Sequence, residues 1–122
     1  EHFQKAIALD PSVSRAHLNF GVALAKTGRM DDAIAPLQQA AALSPEAAEP
    51  IYYLGSVYAA QSRYAEAEAA FTQALQRRAD FAPAHESLAQ LLELQGRKAQ
   101  ALQHHQESVR LRQQSGANSP SR

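Results

Sequence analysis

Residues 18–29 read Leu-Asn-Phe-Gly-Val-Ala-Leu-Ala-Lys-Thr-Gly-Arg, and 52–63 read Tyr-Tyr-Leu-Gly-Ser-Val-Tyr-Ala-Ala-Gln-Ser-Arg. A second step of the same length reaches 86–97, Glu-Ser-Leu-Ala-Gln-Leu-Leu-Glu-Leu-Gln-Gly-Arg. Phe20-Gly21 falls on Leu54-Gly55 and then on Leu88-Ala89, and Leu24 falls on Tyr58 and Leu92. Gly28-Arg29 falls on Ser62-Arg63 and then on Gly96-Arg97. The register continues outward: Ala33 falls on Ala67 and Ala101, Leu37 on Phe3, Ala40 on Ala6, and Pro45 on Pro11. Ala-Leu-Asp-Pro at 8–11 returns as Ala-Leu-Ser-Pro at 42–45. A fixed period of this size, held through three copies without insertion, is the mark of stacked supersecondary units.

Each unit reads as two helices. The first is expected over roughly 14–27, 48–61 and 82–95, the second over roughly 31–43, 65–78 and 99–113. Ala16, Phe20, Ala23 and Leu24 in one copy, and Leu54, Val57 and Tyr58 in the next, recur at helical spacing. A short turn carries Gly28, Ser62 or Gly96, where glycine takes positive φ past a helix end. Asp31 and Asp32 then suit the positive end of the next helix. Asp10-Pro11 and Ser44-Pro45 are expected to close second helices. Pro36 removes one backbone bond inside a second helix and is expected to bend its first turn or two.

Composition agrees. Among 122 residues, Ala occurs 26 times, Leu 13 and Gln 13, all good helix formers, against 4 Val, 3 Ile and 2 Thr. Twelve basic residues balance twelve acidic ones, which argues against a partner bound by phosphate neutralisation. There is no Cys, so thiolate catalysis, disulfides and Cys-based zinc sites are excluded. Apolar runs are too short for a membrane span, and neither the cytoplasm nor the periplasm is favoured for a soluble chain of this kind.

These features resemble the tetratricopeptide repeat family, whose unit is a 34-residue helix–turn–helix. The matching residues are the apolar-Gly pair, the aromatic or Leu one turn later, the Ala opening the second helix, and the bulky residue that follows (Phe3, Leu37, Phe71). The Ala after it (Ala6, Ala40, Ala74) and the closing Pro complete the set. The resemblance implies an all-α fold, a right-handed α-solenoid of antiparallel helix pairs. Its units are expected at 1–13 (the second helix of a truncated repeat), 14–47, 48–81 and 82–113, with a disordered tail at 114–122. A further first helix is expected upstream in the parent protein. The sequence departs from the family at His17, Ile51 and His85, where Trp is common, at Ala79, which replaces a closing Pro, and at His105, which replaces a bulky core residue. With Arg110 and Arg112, His105 gives 99–113 the polar outer face of a terminal cap.

No catalytic constellation is present: no Gly-x-Ser-x-Gly elbow, no phosphate loop, and no His pair at i and i+4 for a metal. His104 and His105 point about 100° apart on a helix and are expected to be cap side chains rather than ligands. His17 and His85 read as half-buried packing residues. The chain is therefore expected not to be an enzyme and to need no cofactor or metal. The family resemblance implies a concave wall of first helices that holds a peptide or partner segment. By register its residues are Arg15, Leu18, Asn19, Val22 and Lys26, then Glu49, Tyr52, Tyr53, Ser56 and Ala60. Glu86, Ser87, Gln90, Glu93 and Leu94 follow from the third unit. Positive charge sits at one end, negative at the other, with two tyrosines between as anchors. The carboxylate clamp and the Asn ladder of some family members are not reproduced, since Asn19 is followed by Tyr53 and Ser87. Two alternatives stand beside the binding module: a docking or regulatory segment of a larger enzyme, and a self-associating scaffold that forms a homodimer through its N-terminal end.

Overall fold

The computed structural model describes residues 11–117, and they form six helices. They are α1 (Pro11–Lys26), α2 (Met30–Leu43), α3 (Glu49–Ala60), α4 (Tyr64–Arg77), α5 (Ala82–Leu94) and α6 (Lys98–Ala117). Consecutive helices pair as the hairpins α1–α2, α3–α4 and α5–α6, and each hairpin packs on the next through α2·α3 and α4·α5. The result is an all-α solenoid, as the repeat register implied.

The three hairpin turns are built alike. Gly28 and Gly96 have φ of 85° and 77°, and Ser62 takes the same left-handed conformation at 62°. The following amides reach back five residues: Arg29 N–H to the Leu24 carbonyl at 2.9 Å, Arg63 to Tyr58 at 2.8 Å, Arg97 to Leu92 at 2.9 Å. This is the Schellman termination, which satisfies carbonyls that the helix end would otherwise strand. Ser62 therefore holds a glycine's geometry with a side chain attached.

Small residues set the helix spacing. A Cβ added at Gly21 would stand 2.6 Å from Leu37 Cγ, and one at Gly55 would stand 2.6 Å from Phe71 Cε1. The first two hairpins thus bring a glycine on the first helix against the bulky residue of the second. Leu18, Leu24, Ala33, Leu37 and Ala40 join Leu54 and Val57 of the next unit in one buried cluster, and Ala67 and Phe71 join Leu88 and Leu91 in another. The core is therefore shared across unit boundaries. Arg77 ties the α2–α3 link to α4: its guanidinium donates to the carbonyls of Ala41, Ser44 and Ala47 at 3.3, 3.3 and 3.1 Å. Ser44 Oγ bonds Ser14 Oγ at 2.8 Å, and Ser14 donates to the Ala40 carbonyl at 3.2 Å, closing α1 onto α2.

Some boundaries differ from the sequence expectation. α1 is already helical from Pro11, ahead of the expected 14, and proline is tolerated in a first helical turn, where no N–H is needed. The expected second helix at 1–13 otherwise lies outside the described residues. α6 continues to Ala117, so 114–117 are helical where a disordered tail was expected. Gln113 and Gln114 are good helix formers, and the next proline comes only at 120. Residues 118–122 lie outside the described range. Pro36 is buried inside α2, which runs unbroken through it.

Candidate functional site: the wall of first helices

The packing of helices fixes the curvature. The backbones of α1 and α3, and of α3 and α5, come closer together than those of α2 and α4 or of α4 and α6, although the Arg77 side chain of α4 reaches the Ala41 carbonyl of α2. First helices therefore crowd on the inside of the stack and second helices splay on the outside. Arg15, Asn19, Val22 and Lys26 fall at spacings of four, three and four on α1, which is one helical stripe. The same register gives Glu49, Tyr53, Ser56 and Ala60 on α3, and Ser87, Gln90 and Leu94 on α5. Arg15, Asn19 and Lys26 are exposed, and Val22, Glu49, Tyr53 and Ser56 are half-buried. Leu94 is 71 % exposed, a large apolar side chain with little covering it.

The two tyrosines have different surroundings. Tyr52 packs its ring against Tyr53, Phe71 and Phe81 at centroid distances of 5.2, 5.8 and 5.4 Å, and so joins α3 to α4 and α5. Tyr53 rests on the Leu18–Leu54 cluster. Ser56 donates to its own helix, at the Tyr52 carbonyl, 3.2 Å away. Leu18 is buried.

Glu86, Gln90 and Glu93 of α5 face Lys98, Leu102 and His105 of α6 across a cleft of about 470 Å³. Glu86 Oε1 is 3.1 Å from His105 Nδ1, so part of the acidic end of the wall is already engaged by α6. Leu102, like Leu94, is largely exposed. Leu102 stands at the register of Ile34, which is partly buried against the cluster of Leu18, Leu37 and Leu54. Lys98 and Leu102 belong to the second helix, which is why an inventory of first helices passes over them.

The sequence reading also passed over a histidine contact. His85 of α5 and His104 of α6 meet ring to ring, Nδ1 to Nδ1 at 3.0 Å. His85 lies in the first turn of α5 and His104 near the middle of α6, and the facing of the rings depends on rotamers. Burial, with His85 adding to it, lowers the pKa of His104 below the ordinary imidazole value. Elsewhere the perturbed groups are surface ion pairs: hydrogen bonding to Arg63 lowers the Glu66 carboxyl, and bonding to Arg110 lowers Glu107. Among the described residues, no group of three or more His, Asp or Glu is placed to hold a metal. No described helix is long and apolar enough to cross a membrane.

The tetratricopeptide repeat family matches residues 1–48 and 52–117. The chain belongs to the tetratricopeptide repeat family. No curated protein matches the sequence. Solved structures of the same fold include MamA, with a TM-score of 0.80 and 23 % identity over 91 % of this chain. The chain spans 65 % of that MamA chain. The second repeat domain of Spaghetti (RPAP3), solved bound to the HSP90 peptide SRMEEVD, has a TM-score of 0.79 and 19 % identity, covering 91 % of this chain and 99 % of its own. The type III secretion translocator chaperone SycD of Yersinia enterocolitica has a TM-score of 0.80 and 17 % identity, covering 92 % and 81 %.

Proposed function

We propose that this tetratricopeptide repeat chain is a protein-interaction module that holds an extended partner segment along the wall of α1, α3 and α5. The observation that supports this reading is the spacing of the helices: the backbones of the first helices come closer together than those of the second, which favours the stripe from Arg15 to Leu94 as the inner wall. A concave wall surrounds an extended chain on more than one side, which a flat helix face does not. The RPAP3 domain, of the same fold, binds a short peptide.

The residues proposed to meet the partner are Arg15, Asn19, Val22 and Lys26, then Glu49, Tyr53 and Ser56, then Glu86, Gln90 and Glu93. Tyr52 holds Tyr53 in place from beneath by its three ring contacts. Tyr53 supplies apolar area in the middle of the wall, and Glu86 and Glu93 supply negative charge at its end. The preferred segment is therefore apolar in its centre and basic where it meets α5. Affinity should be about micromolar, since three hairpins offer an interface of modest size. No step of this reading is catalytic.

A peptide array that compares wild type with Tyr53→Ala and Glu93→Lys tests it. Loss of apolar-centred peptides in the first variant, and of basic peptides in the second, is the expected result. Binding unchanged in both would remove the wall as the site.

A second reading, self-association, draws on Phe20. It is 58 % exposed, at the register where Leu54 and Leu88 are buried against the preceding hairpin. A second copy stacked on α1 would cover it. Light scattering at two concentrations separates this from a monomeric binder, which would show one mass at both.

A further inference from the structure

The first turn of α5 and the middle of α6 are joined by two imidazoles. His85 Nδ1 lies 3.0 Å from His104 Nδ1, and His85 Nε2 lies 3.0 Å from the Ala79 carbonyl oxygen. A carbonyl only accepts, so His85 carries a hydrogen on Nε2 and donates it to Ala79. Neutral His85 then presents a bare lone pair at Nδ1. The hydrogen shared between the rings must come from Nδ1 of His104. One backbone carbonyl thus sets the tautomer of both histidines.

Added protons act in two stages. With one, the bond survives: one ring is imidazolium and donates from Nδ1 to the lone pair of the other. With two, both Nδ1 atoms carry hydrogens, no lone pair remains between them, and two like charges face each other. The bond must then break and the rings part.

We propose that His85 and His104 form a pH-operated latch between the last two helices, closed while the pair holds at most one extra proton and open when it holds two. The charged groups around it are few. On α6 there is Glu107, paired with Arg110. On α5 there is Glu86, bonded to His105. On α4 there is Glu68, which lines a cleft with His104 and is held by Arg97 at 3.1 Å. On the α4–α5 link there are Arg78 and Asp80, 3.6 Å apart. Of these, Glu107 favours a proton on His104, but burial and His85 oppose it more strongly. A folded-state pKa below the unfolded value of about 6.5 means that the latch contributes fully above that pH. Its contribution is lost as pH falls through the lowered folded value.

Hydrogen exchange of the α6 amides, read by NMR as protection factors from pH 7.5 to 5.0, tests the latch. Wild-type α6 should lose protection relative to α2 and α3 as pH falls through this range, because the doubly protonated pair can no longer hold its bond. His104→Gln keeps an N–H for His85 but cannot take a proton, and its protection should stay level across the range. His105→Gln should behave like wild type. Imidazole nitrogen shifts of the wild-type chain should show neutral His104 with its hydrogen on Nδ1, a readout that does not depend on any variant folding. Equal loss of protection in wild type and His104→Gln, no loss in wild type, or the Nε2 tautomer at His104 would each overturn the proposal.

Discussion

Replacing Gly55 by Ala sets helix propensity against packing, and the structure decides which wins. Propensity favours Ala over Gly inside a helix by about 1 kcal/mol. The new Cβ would stand 2.6 Å from Phe71 Cε1, 2.8 Å from Cδ1 and 3.0 Å from Cζ. Carbon atoms pack best at about 3.5–4.0 Å, so the ring must retreat by roughly 1 Å. It has nowhere to go. Phe71 is 2 % exposed, and its ring is backed by Tyr52 at 5.8 Å. The helices must part instead, and overpacking of this kind costs about 1–3 kcal/mol. With a ring this confined the upper part of that range applies, so the net loss is about 1–2 kcal/mol. A domain near this size loses about 4–8 °C in Tm per kcal/mol. Urea unfolding followed by far-UV circular dichroism should show a lower midpoint with an unchanged slope. Phe71→Ala should cost less in the Gly55→Ala background than in wild type, because the clash has already been made. The third hairpin shows the same rule in natural sequence: Ala89 stands where Gly21 and Gly55 do, and the facing register holds exposed His105 instead of packed Leu37 or Phe71. A midpoint that rises in Gly55→Ala, or strict additivity with Phe71→Ala, would refute the argument.

Ser108→Ala should be neutral or stabilising by up to about 1 kcal/mol, measured by the same unfolding curves, because Ser108 is fully buried and its Oγ has no hydrogen-bond partner. Its register positions in the earlier units are Ala40 and Ala74, both fully buried. Arg77→Met should lower stability by about 1–3 kcal/mol, because it keeps much of the aliphatic stem but leaves three link carbonyls without their donor. Thermal unfolding of Arg77→Met and Arg77→Lys side by side checks whether the planar donor or only the charge is needed.

The stacking was legible because it rests on small residues at fixed spacing. Phe20-Gly21 and Leu54-Gly55 declare both the hairpin partner and the period, and a glycine or its substitute marks each turn. Ser62 could be placed at a turn from register alone, although its residue type argues against positive φ. The expected bounds at 14 and 114 were less legible, since no strong breaker stands at either and the chain is helical on both sides of them. Tyr52 illustrates a deeper limit. Register put it beside Tyr53 on the wall, but adjacent residues on a helix point about 100° apart, and Tyr52 turns toward Phe71 and Phe81. The meeting of His85 with His104 depends on two side-chain rotamers on different helices, which no one-dimensional spacing encodes.

Backbones set closer along the first helices than along the second make the solenoid unequal in its response to bending. Sharpening the curve would drive α1, α3 and α5 into side chains already packed, whereas flattening it has the wider spacing between α2, α4 and α6 to take up. The scaffold is thus stiffer toward closure than toward opening.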